Sequence, residues 1–208
     1  MATHKVILLG GGEHAKVVMD CAFAHGHNVV SVYDPQYQGD LYGVPQRGKY
    51  TPTVDPDALA IVAIGDNAIR KKVVEKTHHA FVNTIHPSAI LSPFATVGWG
   101  NMVLQGTIVQ AQSKIGNHVI INTGAQVDHD CIVEDYVHLA PGVILCGNVI
   151  IGEGTFMGAG SIVIPGKRVG AWSIVGAGSV VIDNIPDNVV AVGNPARVIK
   201  HWKPPSLV

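Results

Sequence analysis

Apolar positions along the chain follow two rhythms, and the change falls near residue 84. Before it, short apolar runs alternate with stretches of helical spacing. Val6-Ile7-Leu8-Leu9 is an unbroken run that stops at Gly10-Gly11-Gly12, and His14 to His25 then carries apolar residues at helical intervals. The same reading predicts a second strand over Val29 to Tyr33, ending at Asp34-Pro35, and a third over Ala60 to Ile64, ending at Gly65. A second helix is predicted from Asn67 to about His78, and a fourth strand over Phe81 to Thr84. Alternation of this kind implies a small parallel sheet with helices on its faces.

From Ile85 the period is six. Stepping by six through Leu91, Val97 and Val103 to Val181, all seventeen positions are aliphatic, counting Met157. Two residues earlier stand mostly small or β-branched residues such as Thr107, Ser113, Ala125 and Ser161. Six residues are too few for a helix and a return strand, so each unit is one short strand and a tight turn, wound into a solenoid. The glycines that follow the aliphatic position, such as Gly98, Gly116, Gly152 and Gly158, are expected to supply turn conformations. Ile108, Ile120, Ile132 and Ile144 each precede an inward position, so strand alternation points them outward as a contact surface.

Composition narrows the partners. Only 14% of residues are charged and the net charge is −1, which is not the basic surface that binds nucleic acid or anionic membranes. The opening MATHKVILLG lacks the features of a secretory signal and no apolar run approaches ~18 residues, so a cytoplasmic protein is expected. Three cysteines without paired spacing predict free thiols and no metal site. Gly10-Gly11-Gly12-Glu13-His14-Ala15 fits the dinucleotide fingerprint, with Asp34 about 20 residues on. Alone it suggests NAD and a dehydrogenase. The stretch before residue 85 is too short for two mononucleotide halves, so a site for one nucleotide diphosphate fits better.

The six-residue repeat resembles the hexapeptide acyltransferases, whose left-handed parallel β-helix has three strands and about 18 residues per coil. The resemblance implies an α/β plus all-β chain. Residues 1–84 would be a Rossmann-like nucleotide-sugar domain, 85–183 a β-helix and 184–208 a C-terminal cap. At that coil length His129 stacks between Ala111 and Gly147, Asp130 between Gln112 and Asn148, and His138 between Ile120 and Phe156. The stretch Asn122 to Cys131, followed by His138-Leu139-Ala140-Pro141-Gly142, resembles the catalytic region of amino-sugar acetyltransferases. It implies His129 as general base, an acid beside it, an oxyanion contact from the Gly147 N–H, and coenzyme contacts from His138, Ala159 and Ala177. Asp130 is the family's choice of acid, and Asp128 is an open substitute.

The glycine loop, Tyr33-Asp34, and Ala63-Ile64-Gly65-Asp66-Asn67-Ala68-Ile69-Arg70-Lys71-Lys72 resemble the N-terminal domain of the sialic acid O-acetyltransferase and bacillosamine or perosamine N-acetyltransferase group. This resemblance implies that Gly12, Glu13, His14, Asp34 and Gly65 hold a UDP- or GDP-linked 4-amino sugar. It further implies acetyl-CoA as co-substrate, no metal, and a homotrimer. By composition Arg70-Lys71-Lys72 reads as a solvated helix face. O-acetylation of sialic acid and a non-catalytic β-helix scaffold are the alternative readings.

Overall fold

The computed structural model describes residues 3–37 and 39–202. Residues 203–208 of the expected C-terminal cap lie outside the described residues. The chain begins with strand β1 (Lys5–Leu9), helix α1 (Glu13–His25), β2 (Asn28–Tyr33), β3 (Gly39–Leu41), β4 (Val44–Arg47), β5 (Leu59–Val62) and α2 (Asn67–Glu75). The five strands form one sheet in the order β3-β4-β2-β1-β5, parallel except for the β3–β4 hairpin. That hairpin is unexpected from the sequence because its strands are short and polar. It closes on Tyr42-Gly43, both at positive φ (52° and 83°), the turn geometry that matches strand twist.

Two expectations are corrected here. Helix α2 stops at Glu75 rather than about His78, because Lys76 and Thr77 already close the helix end on Val73 and Val74. The strand expected over Phe81 to Thr84 does not form. Phe81 makes only an isolated bridge to Ala60, while Thr84–Ile85 (β6) opens the solenoid.

From β6 to β22 (Val180–Val181) the chain is a parallel solenoid of two-residue strands. Residues 18 apart pair in register, as in His138 with Phe156 and Gln126 with Ile144. Three sheets result. Sheet B runs through Thr84–Ile85, Met102–Val103, Ile120–Ile121, His138–Leu139, Phe156–Met157 and Ile174–Val175. Sheet C carries Ile108, Gln126, Ile144, Ile162 and Val180; sheet D carries Lys114, Ile132, Ile150 and Arg168. The far end is closed by β23 (Val189–Val192), which extends sheet B, and by β24 (Arg197–His201), which pairs with it antiparallel. The six-residue aliphatic ladder fills the interior, with Val127, Leu139, Leu145 and Met157 fully buried.

The glycines after that ladder have a different reason from the one expected. Gly98, Gly116, Gly152 and Gly158 are not at positive φ. A Cβ on Gly158 would lie 2.5 Å from the Ala177 nitrogen, so these positions need close approach between coils. The left-handed corner residues are others, including Gly124, Gln112, Asp130 and Asn148.

Sheet B is where the two parts of the chain join. Val18, Met19, Cys21 and Ala22 of α1 share one buried cluster with Val6, Leu8 and Val32 beneath and with Met102, Leu104 and Ile120 of the solenoid. Ile120 does point out of the solenoid, but α1 and its sheet cover it completely, so it is no exposed contact residue. Ile108 and Ile144 on sheet C are half-buried, and Ile132 on sheet D is exposed.

Nor is the basic run a solvated face. Arg70 is fully buried, and its guanidinium donates to the carbonyls of His118 (2.9 Å), Ile64 (3.0 Å), Gly65 (3.3 Å), Tyr136 (2.6 Å) and Val137 (3.4 Å), and to Asn67 Oδ1 (2.8 Å). Lys71 pairs with Glu153 (2.7 Å) and sits over the Tyr136 and Trp172 rings. Helix α2 is thereby riveted to the solenoid. Replacing Arg70 by Met fills the space but strands several buried carbonyls, each worth about 1–3 kcal/mol when unsatisfied. Arg70→Met is therefore expected to lower unfolding free energy by about 3 kcal/mol or more, measured by urea denaturation; a loss under about 1 kcal/mol would contradict this role.

Candidate functional site

The corner from sheet C to sheet D carries the first candidate cluster. Asp130 adopts a left-handed conformation (φ 59°), which turns the chain sharply enough for adjacent side chains to meet. His129 Nδ1 lies 2.8 Å from Asp130 Oδ2, while Asp128 Oδ1 accepts the His129 backbone N–H at 2.8 Å. Asp130 thus engages the ring and Asp128 the backbone. The hydrogen bond to Asp130 and the charge of Asp128 raise the His129 pKa above its ordinary value, and the ring is exposed to solvent.

The coil register places Gly147 directly against this imidazole. A Cβ at Gly147 would come within 2.6 Å of His129 Cε1 and 2.7 Å of Nε2. Only glycine lets the ring lie there. The Gly147 N–H has no acceptor among the described residues.

The second cluster lies where α2 and the loop after β5 meet sheet B. His138 is buried; its Nδ1 is 3.1 Å from the Gly65 carbonyl and its Nε2 3.2 Å from Asn122 Nδ2. A carbonyl can only accept, so Nδ1 carries the proton and Nε2 accepts from the amide. His14 lies beside it, ring centroids 5.8 Å apart, with a buried Nε2 that has no hydrogen-bond partner among the described residues. Burial first, and the positive charge of Arg70 second, lower the pKa of His14 to about 4 and of His138 to about 3. The same two causes lower His118, stacked on Tyr136, to about 4. A cavity of about 430 Å³ opens beside His138, walled by Gly65, Asn67, Phe156, Trp172, Ile174 and Trp202.

The glycine loop supplies a cleft of about 450 Å³ at the carboxyl edge of the N-terminal sheet, the position expected for a ligand in an α/β fold. Gly12, Glu13, His14, Asp34 and Gly65 all line it, so the five expected substrate residues converge. Gly10 adopts φ 105°, and Gly11 donates its N–H to Asp34 Oδ2 at 2.8 Å. Asp34 therefore organises the loop and also caps the next turn through the Gln36 N–H. Glu13 pairs with Lys16 at 2.8 Å on the exposed side of the helix, which offsets the repulsion its carboxylate would exert on a phosphate.

Residues 5–77 match the PglD N-terminal domain family. The chain is 42% identical over 109 residues to UDP-N-acetylbacillosamine N-acetyltransferase of Bacillus subtilis, an alignment covering 48% of this chain and half the length of that curated relative. Solved structures extend the likeness to nearly the whole chain. Perosamine N-acetyltransferase from Caulobacter crescentus, a histidine-to-asparagine variant in complex with CoA and GDP-perosamine, is 42% identical, covers 94% of this chain and 97% of its own, and has a TM-score of 0.91. The chain belongs to the nucleotide-sugar N-acetyltransferase family. The acetyltransferase domain of PglB from Neisseria gonorrhoeae, in complex with acetyl coenzyme A, is 35% identical with a TM-score of 0.89, covering 95% of this chain and all of that one.

In this member of the N-acetyltransferase family the candidate residues fall into two half-sites. His129, Asp130 and Gly147 share the C-to-D corner. Ala159 and Ala177 stack at the B-to-C corner, joined by the Gly178 N–H to the Ala159 carbonyl at 2.8 Å, and both are exposed. The width of sheet C separates the two corners within one chain. The sequence placed Asn122 at the start of the motif but gave it no role; it lies 16 residues before His138 and hydrogen-bonds its Nε2. Sequence reasoning also passed over Tyr37 in the cleft and Trp172 and Trp202 in the cavity. The offset from His138, two short of a coil, would have given Asn122 that role; Trp202 carries no repeat signal at all.

His14, His118 and His138 are all depressed below the ordinary histidine value, so the unfolded chain binds more protons than the folded one from about pH 6.5 down to about pH 3. Stability is full above that window and falls as pH drops through it. Thermal midpoints measured from pH 7 to pH 4 should decline, and a His118→Phe variant should decline less steeply; a pH-independent midpoint would refute the assignment.

Proposed function

We propose that the chain transfers acetyl from acetyl-CoA to the 4-amino group of a UDP- or GDP-linked amino-dideoxy sugar. The observation that carries this is the His129–Asp130 pair placed against the side-chain-free Gly147, at a corner open to solvent. The neutral amine attacks the thioester carbonyl while His129 Nε2 removes its proton as the C–N bond forms. Asp130 accepts from Nδ1–H and stabilises the imidazolium. The Gly147 N–H stabilises the tetrahedral oxyanion, which collapses with cleavage of the C–S bond and release of the coenzyme thiolate. The proton on His129 then returns to that thiolate.

The nucleotide diphosphate is assigned to the glycine-loop cleft, at the N-terminus of α1, with the sugar directed past His14. Ala159 and Ala177 are assigned to the pantetheine arm, where small side chains permit close approach. His138, both of whose nitrogens are engaged within the chain, is assigned to shaping the coenzyme pocket by its ring face. Because the half-sites lie on different corners, a homotrimer with His129 from one chain and coenzyme contacts from its neighbour is the assembly this reading requires. Relatives named as N-acetyltransferases, one solved with CoA and GDP-perosamine, support an amine acceptor over the hydroxyl of sialic acid. No helix among the described residues is long and apolar enough to cross a membrane, in keeping with work in the cytoplasm.

His129→Ala should lose roughly 10²–10⁴-fold in kcat while binding both substrates by calorimetry, and near-normal turnover would sink the assignment. Asp130→Asn removes the carboxylate whose hydrogen bond is the main cause of the raised His129 pKa. The acid limb of its kcat/KM profile should therefore move to lower pH, and an unmoved limb would exclude Asp130 as the partner.

A further inference from the structure

The corner that carries His129 is held from inside the solenoid. The Cys146–Gly147 peptide is trans, so its carbonyl and its N–H point to opposite sides. The Cys146 carbonyl accepts the thiol proton of Cys131, Sγ to O 3.1 Å, and Cys131 is fully buried in the solenoid core. With the carbonyl drawn inward, the Gly147 N–H points away from the core, and a Cβ on the same residue would meet the His129 ring. No other hydrogen bond to that carbonyl is found among the described residues.

One coil earlier the same device recurs. Ser113, stacked 18 residues before Cys131, donates from Oγ to the Asp128 carbonyl at 2.5 Å and accepts the Cys131 N–H at 3.1 Å. That bond fixes the Asp128–His129 peptide just as Cys131 fixes Cys146–Gly147. The two side chains form one internal ladder behind the reacting corner.

We propose that Cys131 is a positioning residue for acetyl transfer: its buried thiol sets the plane of the Cys146–Gly147 peptide and so aims the Gly147 N–H at the oxyanion. Ser113 does the same for the backbone that carries His129. This rests on the reading of His129 and Gly147 given above. The thiol keeps its proton throughout the working range, since burial raises its pKa to about 11. A thiol is a weak donor, so its value here is directional. An oxyanion donor acts only when already aimed at the position the charge will occupy, and losing such a donor altogether costs about 10²–10³ in kcat.

Thr155 supplies a matched control. Its Oγ1 donates to the Gly170 carbonyl at 2.6 Å with the same spacing of 15 residues, but at the corner between sheets D and B. Cys131→Ala and Cys131→Val both remove the donor, one leaving space and the other filling it. Each is expected to lower kcat about 10-fold with KM for both substrates within about two-fold, a partial loss of the oxyanion contribution. Cys131→Ser restores a donor and should recover kcat to within about three-fold. Thr155→Val should melt earlier yet keep wild-type kcat. Wild-type kcat in a folded Cys131→Ala or Cys131→Val, with His129→Ala inactive, would overturn the positioning role and leave the base standing. Full activity in His129→Ala would overturn the site reading itself. A kcat loss in Cys131→Ser or Thr155→Val equal to that of Cys131→Ala would show that the effect is only structural, and would also overturn the proposal.

Discussion

The joint between the N-terminal unit and the solenoid turns on one buried guanidinium. Arg70 has no carboxylate partner among the described residues, yet it is fully enclosed, held instead by carbonyls from the loop after β5 and from three residues of the solenoid. Removing a charge from water costs many kcal/mol, so such a group is tolerated only where its donors are satisfied in a fixed geometry. Burial lowers its pKa to about 9, still above neutrality. The consequence is mutual dependence: the N-terminal unit cannot shift on sheet B without stranding the guanidinium. The same charge helps keep His14, His118 and His138 neutral at the junction.

The solenoid contributes by repetition and by its exceptions. Its strands are only two residues long, so the corners make up most of each coil and present most of the chemistry. A left-handed residue at Asp130 lets two consecutive side chains cooperate, which a strand forbids. A glycine one coil later leaves room for the imidazole. Inside, polar rungs such as Ser113 and Cys131 replace aliphatic packing and hold the corner peptides in fixed planes. Preorganisation of this sort comes from a rigid scaffold whose coils constrain one another, not from any local propensity.

The division of the candidate site between two corners follows from the triangular section. Any residue on one corner is separated from the next by a full sheet, so the proposed base and the proposed coenzyme groove would meet only across a second solenoid. Sheet C, with Ile108 and Ile144 half-buried, lies between them. Sheet B is unavailable for such a contact over much of its length because α1 and α2 already occupy it.

Much of this was determined by the sequence alone. The six-residue aliphatic ladder fixed the solenoid because a repeat that short admits only one way to bury its apolar side chains. The 18-residue coil implied by the resemblance to hexapeptide acyltransferases then placed His129 beside Gly147 and His138 beside Phe156. The glycine loop and Asp34 were readable because a tight turn between strand and helix demands those residue types. What the columns do not encode is which face the N-terminal unit covers. Ile120 and Ile132 have the same sequence signature, yet one is sealed under α1 and the other is exposed. Arg70 reads as a surface cation because composition assigns charge to water; only the meeting of α2 with the corners at His118 and Tyr136 supplies enough carbonyls to bury it. The N–H of Gly147 and the thiol of Cys131 gain their directions from neighbouring coils. Repetition along one chain determined the architecture, and contacts between segments far apart in that chain decided burial, protonation and aim.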